Sequence, residues 1–295
     1  MSNDHRLTQQ QLEEFHAVGC IGPFPLECSA EDLAGVREAA RGAYLAPNPV
    51  YDQIIGRDLH LFSEPVYSFF TRPEIREKTI QLLGPDLTMW RSDVFPKFPG
   101  SPATPWHQAD VFTEFTEEPL LESPRCGLND WSSLWQVTVW IALEDSTVEN
   151  GCLEIIPGTH HEQLTWPLVG EEARAYLAET VARGEIPNPD RCIKHSPRIK
   201  ILEKERVRLE AKAGEFYIFT QRVVHGSGAN NTDRSRLAIN FRIVQSDVRC
   251  YHRYLAAGEW EMLGVKLPLE NWGALIYAGA PPDPPVNRLR TPPGL

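Results

Sequence analysis

The spacing of apolar residues changes character near residue 85. Before that point it is helical. Leu12 and Phe15 share one face of a segment that opens at Thr8, whose hydroxyl can cap it, and Gln11 completes a capping box before Gly19 ends the helix. Cys20 to Phe24 reads as a short strand. Ser29 and Asp32 form a second capping box, followed by a stripe of Leu33, Val36 and Ala40. Residues 47–61 look irregular, a loop near the mouth of a site. Pro73 suits the first turn of a third helix that runs to about Leu83, where Gly84-Pro85 stops it. From Leu87 the apolar positions fall into short alternating runs, which predict strands over 87–95, 106–112, 134–143, 152–156, 206–211, 215–220 and 236–245. Strands at this density, separated by turn residues, point to a barrel or sandwich. Residues 114–131, acidic and then Pro- and Gly-containing, read as a loop over the site. Residues 160–205 form a lid-like insertion, helical over Glu171 to Arg183 and broken at Pro187-Asn-Pro189. With no internal repeat and no linker, the chain reads as a single domain over 1–295, helical over about 1–85.

Two of these strands carry an inward code. Arg236, Ala238, Asn240 and Arg242 share one face, while Leu237, Ile239, Phe241 and Ile243 share the other. A polar face turned inward suits a buried anion, which a planar guanidinium can clamp with two hydrogen bonds. Gln136, Thr138 and Trp140 alternate in the same way with Val137, Val139 and Ile141.

The run Thr104-Pro-Trp-His107-Gln-Ala109-Asp110-Val-Phe112 reads as half of a non-haem iron site. Such sites hold iron(II) with two histidines and one carboxylate, the first pair coming as His-x-Asp on a strand, where i and i+2 face the same way. Here Ala109 occupies the i+2 position and has no donor atom. Asp110, at i+3, faces the other way unless the strand bulges. Two readings follow: a bulge makes Asp110 the ligand of a hydroxylase, or Ala109 leaves a coordination position to an exogenous anion such as chloride. The candidate second histidine is His225, which follows a predicted strand and precedes a Gly-rich turn. His5, His16, His60, His160, His161, His195 and His252 read as structural or surface residues.

Trp90 to Gly100, Trp106 to Phe112, Ile21 to Phe24, Thr138 to Trp140, Asn150 to Gly158, Lys212 to Phe216, His225 and Asn287 to Leu289 together resemble the iron(II)- and 2-oxoglutarate-dependent halogenases. That group, which includes the syringomycin threonine chlorinase, lies within the phytanoyl-CoA dioxygenase-like superfamily. The resemblance implies a mainly β fold with flanking helices, a double-stranded β-helix (jelly roll, cupin-like). It implies iron(II), 2-oxoglutarate, O2 and chloride as cofactors, with His107 and His225 as metal ligands. Arg236 would anchor the distal carboxylate of 2-oxoglutarate, assisted by Thr104 and Trp140. Ala109, Phe112 and Thr138 would line the halide pocket, although Phe112 is equally a core residue. Arg242 would stand near the halide and its water, and Asp93 takes the place of a family glutamate beside the site. The implied reaction is oxidative decarboxylation of 2-oxoglutarate coupled to chlorination of an unactivated sp3 carbon. Members that act on carrier proteins have an aromatic Gly-Phe-Phe-Gly-Tyr-like segment in the insertion, where this chain has Cys192-Ile-Lys-His-Ser-Pro-Arg198-Ile-Lys200. The substrate is therefore either a free small molecule such as a nucleotide, its phosphate facing these basic residues, or an amino acid tethered to an acyl or peptidyl carrier protein.

Composition narrows the field. A chain of 295 residues, 42% hydrophobic, can build a sizeable core. A formal charge of −11 argues against general nucleic-acid binding, which needs a basic face. Cys20, Cys28, Cys126, Cys152, Cys192 and Cys250 are scattered without a Cys-x-x-Cys, so reduced thiols in a cytoplasmic protein are expected. No apolar run approaches the roughly 20 residues of a membrane span, and the polar N-terminus does not read as a signal peptide.

Overall fold

The computed structural model describes residues 4–109, 118–124, 133–184, 192–262 and 265–294. Among these the helices are α1 (Gln9–Val18), α2 (Ala30–Gly42), α3 (Glu64–Phe70), α4 (Pro73–Leu83), α5 (Gly170–Ala182), α6 (Ile199–Leu202) and α7 (His252–Leu255). The strands run β1 (Cys20–Pro25), β2 (Leu87–Lys97), β3 (Thr104–His107), β4 (Leu121–Glu122), β5 (Gln136–Ala142), β6 (Leu153–Ile156), β7 (Thr165–Pro167) and β8 (Ile193–His195). They continue with β9 (Val207–Leu209), β10 (Glu215–Thr220), β11 (Val224–Ser227), β12 (Arg236–Gln245), β13 (Arg249–Cys250), β14 (Glu259–Met262), β15 (Val265–Pro268) and β16 (Leu275–Ala278). A six-stranded antiparallel sheet has the order β1-β10-β5-β12-β2-β16, and a four-stranded one the order β3-β11-β6-β9.

The alternation in β12 sorts the layers. Its apolar face, Leu237, Ile239, Phe241 and Ile243, joins one core cluster with Phe15, Val36 and Ile75 of the N-terminal helices. Phe70 of α3 stacks on Phe241 at 4.1 Å between ring centroids. The opposite face contributes Ala238, beside Trp140, Tyr217 and Phe219, to a second cluster with Leu153, Ile155 and Leu209 of the small sheet. The far face of the small sheet, Ile156 and Val224, is covered by Leu164, Ile199 and Leu202. Helices, large sheet, small sheet and the 160–202 segment are thus stacked in that order.

Local signals account for the helix ends. Thr8 and Gln11 make both bonds of their capping box, and Gly19 closes α1 at φ 85°. Ser29 and Asp32 do the same for α2. The reading of the sequence did not anticipate α3 or the strands β14 to β16. It placed His225 after a strand, whereas His225 lies within β11. The strand expected over 106–112 is found as Thr104–His107. Asp110, Phe112, Cys126, most of the 114–131 loop and Pro187-Asn-Pro189 lie outside the described residues. Among the described residues no helix is long and apolar enough to cross a membrane.

Candidate metal centre

β3 and β11 run antiparallel with His107 and His225 as direct partners. Opposed residues on neighbouring strands project from the same face, and the two rings stand 4.1 Å apart between centroids at 50°. Gly226 makes this closeness possible, since a Cβ there would lie 2.7 Å from the carbonyl oxygen of Thr104. Each imidazole Nδ1 lies 2.9 Å from the carbonyl two residues back, Pro105 for His107 and Val223 for His225. A carbonyl can only accept, so both Nδ1 atoms carry a proton, which in a neutral ring leaves the lone pair on Nε2, the tautomer of a metal-binding imidazole. Burial, followed by the neighbouring His107, drives the pKa of His225 well below its ordinary value, so the ring is neutral.

Among the described residues no set of three His, Cys, Asp or Glu side chains could hold a metal ion; the histidines stand as a pair. Ala109 follows, its amide donating to the Gln221 carbonyl at 2.8 Å. The β3 ladder ends at His107, so strand alternation by itself no longer fixes where the side chain at 110 points.

Gln108, between His107 and Ala109, ties this strand end down. Its Nε2 donates to the carbonyls of Arg222 (2.6 Å), Glu162 (2.9 Å) and Thr159 (3.3 Å). Its Oε1 accepts from the amides of Leu164 (2.8 Å) and Thr165 (3.1 Å). The 160–202 segment is fastened to β3 in the same way, His195 Nε2 lying 2.7 Å from the Trp106 carbonyl.

Facing the small sheet, the large sheet presents Arg236. Arg236 is 4% exposed, and its guanidinium donates to the Gly151 carbonyl at 2.6 Å and lies 5.8 Å from the centre of the Trp140 ring. Among the described residues no carboxylate pairs with it, and its Nε has no hydrogen-bond partner. Burial lowers its pKa to about 10, which still leaves it charged at neutral pH. Its direct partner on β2 is Lys97, also buried. Lys97 Nζ donates to Ser227 Oγ (2.6 Å), which donates to Thr104 Oγ1 (3.0 Å). The sequence reading missed Lys97, Ser227 and Gln108. Lys97 was legible, because it shares the β2 face of Asp93.

Asp93 receives Arg57 Nε (3.0 Å), Arg91 Nε (3.1 Å) and Arg242 Nη1. Burial raises its pKa, but Arg91, Arg57 and Arg242 together outweigh that and hold the carboxyl well below the usual range. Arg242 is thus the partner of Asp93, and its charge also reaches His225. Thr138 is the direct β5 partner of Arg242 and is buried. Two groups result. His107, His225, Arg242, Asp93 and Thr138 are linked on one side, and Arg236, Trp140, Lys97, Ser227 and Thr104 on the other. Of the basic segment, Lys194 pairs with Glu172 (2.6 Å) and Arg198 with Glu162.

Residues 25–238 match the phytanoyl-CoA dioxygenase (PhyH) family, a span that takes in both histidines and Arg236. The chain belongs to the phytanoyl-CoA dioxygenase family. This family member is 28% identical over 213 residues to phytanoyl-CoA dioxygenase domain-containing protein 1 of Danio rerio, covering 70% of the chain and 62% of that protein. It is 35% identical over 109 residues to phytanoyl-CoA dioxygenase of Arabidopsis thaliana, covering 37% of the chain and 32% of that protein. The matches therefore span less than two thirds of these relatives' length. Among solved structures it resembles CytC3 with Fe(II) and alpha-ketoglutarate, at TM-score 0.69 and 24% identity, over 98% of the chain and 95% of that one. It also resembles the non-heme alpha ketoglutarate dependent carbocyclase SnoK from nogalamycin biosynthesis, at TM-score 0.57 and 20% identity, over 83% of the chain and 86% of that one. At these identities the likeness is one of fold.

Proposed function

We propose that this chain is an iron(II)- and 2-oxoglutarate-dependent halogenase that chlorinates an unactivated sp3 carbon of a natural-product intermediate. The two facing sheets read as the halves of a double-stranded β-helix (jelly roll). The observation that carries the proposal is Ala109. Two residues beyond a histidine with the metal-binding tautomer, where a carboxylate ligand is expected, stands a methyl group. His107 and His225 would hold iron through Nε2, and Ala109 leaves room for chloride beside it. The Fe(II) and alpha-ketoglutarate named for CytC3 suit this donor set and the buried, carboxylate-lacking Arg236. When bound, iron with 2-oxoglutarate and O2 supplies the oxidising power that breaks a C–H bond.

The chain's own residues bind and orient. Arg236 clamps the distal carboxylate of 2-oxoglutarate, with Thr104 and Trp140 beside it. Arg242, held by Asp93, keeps a positive charge near the halide, with Thr138 lining that pocket. The apolar layer of Phe219, 5.0 Å from the His225 ring, keeps water from one side. The substrate is a free small molecule or a carrier-tethered aminoacyl group in the cytoplasm. Lys194 and Arg198 of the basic segment are already paired with Glu172 and Glu162, which lowers what these two offer a phosphate.

The test is incubation with Fe(II), 2-oxoglutarate, O2 and chloride, using a panel of free and carrier-tethered substrates, followed by mass spectrometry. A product with the chlorine isotope doublet is expected. Hydroxylated product alone, with Asp110 bound to iron, overturns the proposal.

A further inference from the structure

The turn between β10 and β11 joins both histidine strands to a pocket that none of the roles above uses. Thr220 Oγ1 accepts from the amides of Val223 (3.1 Å) and Arg222 (3.3 Å) and so closes the turn. Three successive carbonyls of the turn then hold the metal strands. Gln221 accepts from the Ala109 amide (2.8 Å), Arg222 from Gln108 Nε2 (2.6 Å), and Val223 from His225 Nδ1 (2.9 Å).

Gln221 lines a pocket of about 110 Å³, open to solvent, with Phe15, His16, Leu134, His161 and Arg222. Gln221 is 1% exposed, yet neither its Nε2 nor its Oε1 has a hydrogen-bond partner. Buried carboxamides are almost always paired, because leaving donor and acceptor unmet costs free energy. A donor and an acceptor on one planar group are met together by a second planar group with the complementary pair. The apolar walls of Phe15 and Leu134 suit the body of such a group better than they suit loose water.

We propose that this pocket is a substrate-recognition subsite for a planar, neutral group carrying an N–H donor and a carbonyl or ring-nitrogen acceptor side by side: a carboxamide, a lactam or an amide-like ring edge. The fate of the occupant rests on the halogenase reading; its binding does not. Because Gln221 also holds Ala109, an occupant of the pocket is registered against the position left for chloride.

The test uses metal-free protein titrated with 2-pyridone, benzamide, benzoate and toluene, read by ligand-observed NMR. 2-Pyridone and benzamide should bind at least about tenfold more tightly than toluene, the margin two neutral hydrogen bonds supply. Gln221→Leu should abolish that margin and raise the unfolding midpoint of the empty protein. Equal binding by wild type and Gln221→Leu overturns the subsite. So does a crystal structure in which water on both Gln221 atoms persists at saturating 2-pyridone. If Gln221→Leu does not fold, the side-chain amide NMR signal of Gln221 in the wild type decides: movement with 2-pyridone supports the subsite, and none overturns it. Probe binding to the metal-free protein, with hydroxylated product alone from the iron-loaded protein, would remove the halogenase reading and keep the subsite; the converse would do the opposite.

Discussion

Whether His107 and His225 bind metal turns on a single proton each, and the Pro105 and Val223 carbonyls hold that proton on Nδ1. His107→Ala or His225→Ala should abolish iron binding, since either leaves one protein ligand; near-normal iron affinity by calorimetry in either variant would move the site elsewhere. Arg236→Ala should raise the 2-oxoglutarate requirement about 10- to 100-fold, the loss of a charge-assisted pair worth roughly 1.5–3 kcal/mol. Arg236→Lys should recover little of this, because an ammonium cannot reproduce the planar fork. An unchanged requirement would hand the role to Arg242 or Lys97. Ala109→Asp should end chlorination by filling the halide position with an anionic oxygen donor, leaving weak hydroxylation or no turnover, and Asp110→Asn should be far milder. The reverse ranking, read from product masses and iron content, would make Asp110 the third ligand.

Strands and helices differed in how openly the sequence declared them. The capping boxes at Thr8 and Ser29 rest on residues three apart, and the alternation of β12 lies in eight consecutive positions, so both were readable from neighbours alone. Arg236, His107 and His225 were found for the same reason, because each sits in a short chemical pattern. The bracing that makes them a site was not readable. Gln108 reaches carbonyls 51 to 114 residues away, and Lys97 meets Ser227 across 130 residues, distances that no local period encodes. The β14 to β16 strands escaped because each has only four residues, and α3 because it has only seven. Gln108→Ala would strand five backbone partners at the end of β3. A stability loss of about 2 kcal/mol or more is expected from the unmet groups, with weakened iron affinity at temperatures where the fold remains intact. Unaltered urea midpoint and iron affinity would mean that β3 is fixed by its ladder alone.

Acid should act on the fold through three buried groups with opposing signs. Asp93 has a depressed pKa, so its contribution is full above the ordinary carboxylate value of 3.8 and is lost as acid titrates it below that. His60 is buried and pushed down to about 3 from 6.5, so its contribution is full above 6.5 and drains away as pH falls toward 3. Asp58 runs the other way. Burial pushes it up to about 6, despite the hydrogen bonds from Tyr51 and the Ser92 amide. The folded chain therefore holds a proton that the unfolded chain releases near 3.8, and this contribution is full below that value and lost as pH rises through about 6. Between pH 6.5 and 4 the His60 and Asp58 slopes partly cancel, each worth on the order of a few kcal/mol. Asp58→Asn removes the Asp58 slope and, because His60 Nδ1 stands 3.9 Å from Asp58 Oδ1, can only steepen the His60 slope in the same direction. Asn keeps an acceptor for the Ser92 amide and tolerates the left-handed backbone at this position, φ 54°. The variant should thus lose stability on acidification from pH 6.5 to 4 more steeply than the wild type, measured as urea midpoints across that range. Parallel curves would show that Asp58 is ionised in the folded protein throughout, its charge held by Tyr51 and Ser92 against the cost of burial.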